Sequence, residues 1–141
     1  MNDQEMLLSI CKTTEMGVDS IKDLLQYIKE PEICKAMREQ KEEYGTIYAN
    51  AHSMLSARGL QPKDVSRMAK MGASMAIRAE TMGNRTASKA AQLLIKGNTT
   101  GMTKSIKNIK RYNGNDEQVR LLATRLLRTE QANIEQMKSF L

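Results

Sequence analysis

The chain has 141 residues with few glycines and prolines, no tryptophan, 11 methionines and a formal net charge of +6. This length suits one domain with a single core, and the composition is typical of an all-helical protein. The apolar runs are far shorter than the roughly 20 residues that cross a bilayer, and residues 1–5 lack the basic flank of a signal peptide. We therefore expect one domain over residues 1–141, cytoplasmic and not inserted in a membrane.

The charge is unevenly distributed along the chain. Residues 1–50 carry a net charge of −4, whereas residues 84–128 carry +8. We expect a molecule with one acidic side and one basic side, which would favour self-association or an anionic partner.

Segment one is a predicted helix from about Asp3 to Lys29. Asn2 can cap its N-terminus, and Glu5 stands where a capping box requires an acidic residue. Inward positions recur at alternating spacings of four and three, a pattern typical of bundle helices: Leu7, Cys11, Thr14, Val18, Ile21, Leu25 and Ile28.

Segment two begins at Pro31, where the missing backbone N–H is tolerated, and ends at Gly59, which can adopt a left-handed cap. Segment three is predicted from Pro62 to about Met82 and is rich in methionine. Its length of about 30 Å is close to the distance that separates the two ends of a bundle of such helices. We therefore interpret segment three as a helical crossover.

Segment four is predicted from Thr86 to Tyr112, and segment five begins after a cap at Asn115. Segments one and two would form one antiparallel pair, and segments four and five a second. Two such pairs joined by one long connection give the ferritin-like topology of four-helix bundles. The expected fold class is therefore all-α, a ferritin-like four-helix bundle with a helical crossover and five helical segments.

Four stretches of the sequence resemble a group of small bacterial proteins that are ferritin-like and distantly related to rubrerythrin. They are DSIKDLLQYIK, EEYGTIYANAHSMLSARG, LLIKGNTTGM and LLRTEQANIEQMKSFL. The resemblance covers nearly the whole chain. It implies a fold and no activity, because the group has no assigned function.

Ferritin-like di-metal proteins bind their metals with one Glu from each of two helices and Glu-x-x-His from each of the other two. Aligning the helix pairs by their turns brings Asp19, Glu43, Asn98 and either Thr129 or Glu130 to about one height. Asn133, however, stands three residues after Glu130, where a histidine would be needed. We expect no di-metal centre and no cofactor. The alternative is weak binding of iron or manganese by Asp19, Glu43, Glu130 and Asn133.

The favoured interpretation of the inward polar residues is a hydrogen-bonded layer in the core. Its predicted members are Thr14, Gln40, Tyr44, Glu130 and Asn133. The two glycines of the GNTTG stretch, Gly97 and Gly101, would allow close helix approach or a kink. A backbone nest that binds an anion is the alternative explanation for this pair.

Segments four and five also carry basic residues that could bind an acidic protein, a phosphate backbone or an anionic lipid surface. These are Lys104, Lys107, Arg111, Arg120, Arg125 and Arg128. A nucleic acid is the less favoured partner, because few aromatic side chains are present to stack on bases.

No catalytic triad and no dinucleotide-binding fingerprint is present in the sequence. The expected function is a non-catalytic binding or structural module, either as a homodimer or with an unidentified protein partner. The alternatives are a metal-binding ferritin relative and a basic-face binder of nucleic acid or an anionic surface.

Overall fold

The computed structural model describes residues 1–141 as five α-helices without a β-strand. The helices are α1 (Asp3–Tyr27), α2 (Pro31–Ala57), α3 (Arg67–Thr81), α4 (Ala87–Arg111) and α5 (Glu117–Lys138). The all-α class expected from the composition is therefore confirmed. None of the five helices qualifies as a bilayer-spanning segment.

The helix ends follow the local signals in the sequence. The side chain of Asn2 accepts a hydrogen bond from Glu5 N, and Glu5 Oε2 accepts one from Asn2 N, both at 2.9 Å, so the predicted capping box is present. Pro31 is the first residue of α2. Gly59 has a φ of +69°, and its N–H bonds to Ser56 O in a Schellman arrangement that satisfies a C-terminal carbonyl of α2.

The four long helices share one apolar core. α1 packs along α2, α4 packs along α5, and α2 also packs against α5. Leu7, Ile47, Leu94 and Leu126 represent the four helices in the buried cluster. Each fully buried side chain of this size contributes roughly 1.5–3 kcal/mol relative to an exposed one.

Contacts at the two ends of the molecule define the path of the chain. At one end, Arg58 forms an ion pair with Asp116, which places the end of α2 beside the start of α5. At the other end, Glu30 Oε1 accepts a hydrogen bond from Ala87 N at 3.1 Å, which places the start of α2 beside the start of α4. Residues 59–86 therefore return the chain from one end to the other, as expected for segment three.

Two predicted boundaries are corrected by the structure. α3 spans 15 residues from Arg67 and is capped by Ser66, instead of beginning at Pro62. A helix of this length covers only about 22 Å, so the non-helical residues 60–66 supply the remaining distance. Asp116, and not Asn115, caps α5, because its side chain accepts hydrogen bonds from the N–H groups of Gln118 and Val119.

Candidate functional site: a polar core and a basic groove

Six polar or charged side chains of the four long helices are buried: Thr14, Gln40, Asn98, Ser105, Glu130 and Asn133. The phenol of Tyr44 is buried among them. A buried polar group without a hydrogen-bond partner costs about 1–3 kcal/mol. The hydrogen-bond partners of these side chains therefore show which groups have a structural role and which are left unpaired.

Two members of the predicted polar layer bond elsewhere. Thr14 Oγ1 donates to Ile10 O at 2.8 Å within its own helix. Gln40 Nε2 donates to Gln136 Oε1 at 2.8 Å. The burial of the layer is as expected, but its members do not form one connected network.

Tyr44, Asn98 and Asn133 form an interhelical hydrogen-bonded group, which we call the amide cluster. Asn98 Oδ1 accepts from Tyr44 Oη at 2.6 Å and from Asn133 Nδ2 at 3.2 Å. Asn98 Nδ2 donates to Leu94 O at 2.8 Å, so both ends of this side chain are used. Burial is the main cause of a raised pKa for Tyr44, which keeps its phenol protonated.

Gly17 of α1 makes room for the Tyr44 ring. A Cβ atom at position 17 would lie 2.7 Å from Cε2 of Tyr44 and 2.8 Å from Cδ2. Real Cβ atoms do not approach a ring so closely. The absence of a side chain at Gly17 therefore allows Tyr44 to reach across the core to Asn98.

Glu130 of α5 contacts Ser105 and Gly101 of α4 in the core. Its side chain is 0% exposed, and Oε1 accepts a hydrogen bond from Ser105 Oγ at 2.7 Å. Oε2 has no hydrogen-bond partner. A Cβ atom at position 101 would collide with Oε2 and lie 3.0 Å from Cδ, so Gly101 provides the space that the carboxyl group occupies.

Burial raises the pKa of Glu130 to about 7, although the Ser105 hydrogen bond and the charge of Lys104 oppose this shift. Glu130 therefore holds a proton in the core up to about neutral pH. The cavity that borders Ser105 has a volume of about 10 Å³, and Glu130 is not among its lining residues. This volume is room for about one water molecule, so that cavity cannot admit a substrate to the carboxyl group.

The structure does not bring the predicted metal-binding carboxylates together. Asp19 Oδ2 lies 3.2 Å from Lys70 Nζ, between α1 and α3. Glu43 Oε1 lies 2.7 Å from Arg125 Nη2, between α2 and α5. No group of three or more His, Cys, Asp or Glu side chains is placed to bind one metal ion. Of the four suggested ligands, only Glu130 and Asn133 are buried.

A shallow groove of about 490 Å³ runs along the C-terminal half of α4. We call it the basic groove; its lining consists of Thr99, Thr100, Thr103, Lys104, Lys107, Asn108 and Arg111. The three cations predicted on this face therefore line one concave surface. No apolar side chain contributes to it.

The three arginines predicted to extend this face from α5 lie outside the groove. Arg125 is bound to Glu43 at 2.7 Å. Arg120 lies 3.7 Å from Glu117 and stacks over the Tyr112 ring at 5.0 Å. Arg128 does not line the groove. The structure thus groups Lys104, Lys107 and Arg111, and separates them from the α5 arginines.

Three methionines of α3 and Met82, which caps its C-terminus, are exposed to solvent. The exposed fractions are 85% for Met68, 58% for Met71, 67% for Met75 and 73% for Met82. We call these four residues the methionine face. The opposite side of α3 packs against α1, where Lys70 bonds to Glu15 at 2.6 Å.

Sequence reasoning missed Ser105 and the interhelical role of Asn98. Ser105 follows Gly101 by four residues, so both lie on the same side of α4, and this spacing could have linked them to one inward group. Close approach is one of the explanations considered for GNTTG, and at Gly101 the missing side chain leaves room for the Glu130 carboxyl group of α5. A Cβ atom at Gly97 would meet nothing within 4 Å.

Comparison with known proteins provides no relative for this chain. No family model, no curated protein and no solved structure matches it.

Proposed function

We propose that the protein is a non-catalytic helical module of ferritin-like architecture that serves in binding or assembly and has no di-metal centre. The path of the chain supports the architecture. α1 pairs with α2, α4 pairs with α5, and one long connection joins the two pairs across the length of the molecule. A helical bundle with one such connection is the ferritin-like arrangement.

The amide cluster is the observation that supports the absence of a di-metal centre. A ferritin-like centre needs four carboxylates and two histidines from facing helices. Here Tyr44, Asn98 and Asn133 occupy the interhelical core and satisfy one another through hydrogen bonds. Glu130 is the only buried carboxylate, so the residues present do not fit two metal ions.

Thermal unfolding in the presence of metal tests this proposal. A ligand that binds only the folded state at about 100 times its Kd stabilises a protein by roughly 2.7 kcal/mol. We expect no rise in Tm when Mn²⁺, or Fe²⁺ without oxygen, is added to the protein. A rise that is present in the wild type and absent from Glu130→Gln would overturn the proposal.

The methionine face supports a second part of the proposal, which is assembly into a homodimer through α3. Large and small residues alternate along its exposed seam as Met68, Gly72, Met75, Ala79 and Met82. In an antiparallel pair of α3 helices, methionines of one copy would lie against Gly72 and Ala79 of the other. Such a contact is self-complementary, as a two-fold interface requires.

A further inference from the structure

The cations of the basic groove have no carboxylate partners. None of the ion pairs in the protein uses Lys104, Lys107 or Arg111, and Lys12 of α1 is also free. Elsewhere on the bundle, Lys70, Lys89 and Arg125 are among the bases that pair with acids, whereas all three cations that line the groove lack such a partner. The positive charge of the groove is therefore not neutralised within the chain.

Lys12 adds positive charge from α1, which lies beside this part of α4 because Asn108 Nδ2 of the groove donates a hydrogen bond to Ser9 Oγ at 2.8 Å. The pKa of Lys104 is lowered, first by partial burial of its side chain and second by the charge of Lys12. Like charges held this close repel each other, and an anion between them would remove that cost. The groove therefore favours a negatively charged ligand at the boundary of α1 and α4.

The lining of the groove limits the kind of anion. Small-molecule sites are mostly apolar and enclose their ligand, and protein partners depend on apolar or aromatic anchors. This groove is shallow, and none of its lining residues is hydrophobic. A partner whose surface presents only charge therefore fits this groove better than a small molecule or a protein does.

The hydroxyl groups of the groove are already used as donors. Thr99, Thr100 and Thr103 donate to the carbonyl oxygens of Ile95, Lys96 and Thr99, respectively, one turn earlier in α4. Charge therefore dominates over specific hydrogen bonding. Without aromatic side chains in the lining, the groove also lacks a surface on which unpaired bases could stack.

We propose that the basic groove binds the phosphate backbone of double-helical nucleic acid without regard to base sequence. Lys104, Lys107 and Arg111 lie on one face of α4 and span about 10 Å along its axis, and Lys12 adds a fourth cation. Duplex DNA offers a phosphate about every 3.4 Å along each strand, so this row meets several phosphates. The inference rests on the proposed role in binding, but it concerns a different region from the amide cluster.

Fluorescence anisotropy with a labelled DNA duplex tests this inference. With about four phosphate contacts, affinity should fall roughly 100-fold between about 50 mM and 200 mM salt. The variant Lys104→Gln/Lys107→Gln/Arg111→Gln should bind at least roughly tenfold more weakly at low salt and show a much smaller salt dependence. Lys12→Gln should weaken binding by a smaller factor without altering α4.

The matched control is Lys22→Gln/Lys35→Gln/Arg38→Gln, which removes three exposed cations from α1 and α2. We expect this control to bind as the wild type does. An equal loss in the control, or no binding by the wild type at low salt, would overturn the inference. Binding to vesicles of anionic phospholipid without binding to the duplex would also overturn it. The metal experiments test a different site. The DNA-binding inference and the proposal of no di-metal centre can therefore be contradicted independently.

Discussion

Tyr44 and Asn98 connect the first helix pair to the second through a hydrogen bond in the core, in which Tyr44 Oη donates to Asn98 Oδ1 at 2.6 Å. Asn133 Nδ2 donates to the same oxygen from α5. The Asn98 side chain is therefore the common acceptor for donors from two other helices. A metal-binding carboxylate at this position would instead present negative charge to the core.

The amide cluster predicts unequal effects of removing a donor and removing the shared acceptor. Tyr44→Phe removes one hydrogen bond and should lower the free energy of unfolding by about 1 kcal/mol. Asn98→Ala leaves two buried donors unpaired and should cost about 2–4 kcal/mol. Urea unfolding measures both, with Tyr48→Phe as a control because no hydrogen bond from its hydroxyl is present. Equal losses for Tyr44→Phe and Asn98→Ala would contradict this description of the cluster.

The buried carboxyl of Glu130 predicts a pH-dependent loss of stability. In the unfolded chain Glu130 ionises near its ordinary pKa of 4.5, whereas the folded protein retains the proton to about pH 7. The folded state therefore binds more protons in this interval, and stability falls as pH rises from 4.5 to 7 and stays lower above. The full difference is roughly 3 kcal/mol.

Glu130→Gln isolates this effect, because glutamine retains an oxygen for Ser105 but does not titrate in this range. The free energy of unfolding of Glu130→Gln, relative to that of the wild type, should increase as pH rises from 4.5 to about 7. Urea unfolding at several pH values measures the difference. A difference that does not vary with pH would show that Glu130 has an ordinary pKa.

The two glycines of GNTTG should respond oppositely to alanine. Gly97→Ala meets nothing within 4 Å and should stabilise the exposed helix by up to about 1 kcal/mol. Gly101→Ala collides with the Glu130 carboxyl and should destabilise the protein by about 1–3 kcal/mol. Thermal unfolding of the two variants measures the contrast. Equal stabilisation by both would mean that Glu130 can move away from position 101 without cost.

The methionine face predicts that the protein self-associates through α3. If the proposed dimer forms through α3, Met68→Glu/Met75→Glu places charge in the contact and should give a monomer in sedimentation analysis. Leu121→Glu changes an apolar residue that is 53% exposed on α5 and should leave the dimer intact. A monomeric wild type, or a dimer that survives in Met68→Glu/Met75→Glu, would exclude α3 as the interface.

Local signals in the sequence predicted the helices well, whereas α3 depended on tertiary context. Asn2, Pro31 and Gly59 mark their helix ends through groups within a few residues, so their roles could be inferred without a fold. Pro62 is also a favourable helix start, but the segment before Ser66 packs against α1 instead, where Val65 is buried and its N–H donates to Glu15 Oε2 at 3.3 Å.

The candidate site was less predictable, because it depends on the register between helices. The inward position of Glu130 follows from the helical period. Its pairing with Ser105 depends on the axial register between α4 and α5, and the helical period does not determine that register. The alignment of the helix pairs by their turns placed Thr129 or Glu130 at the height of Asn98. In the structure, Asn98 instead meets Asn133, about one helical turn further along α5.

Elemental analysis of the protein purified without chelators tests the central claim most directly. Because hydrogen-bonded amides and a single buried carboxyl group occupy the core, we expect iron and manganese far below one atom per chain, in equal trace amounts for the wild type and Glu130→Ala. Stoichiometric iron or manganese in the wild type that disappears in Glu130→Ala would contradict the account.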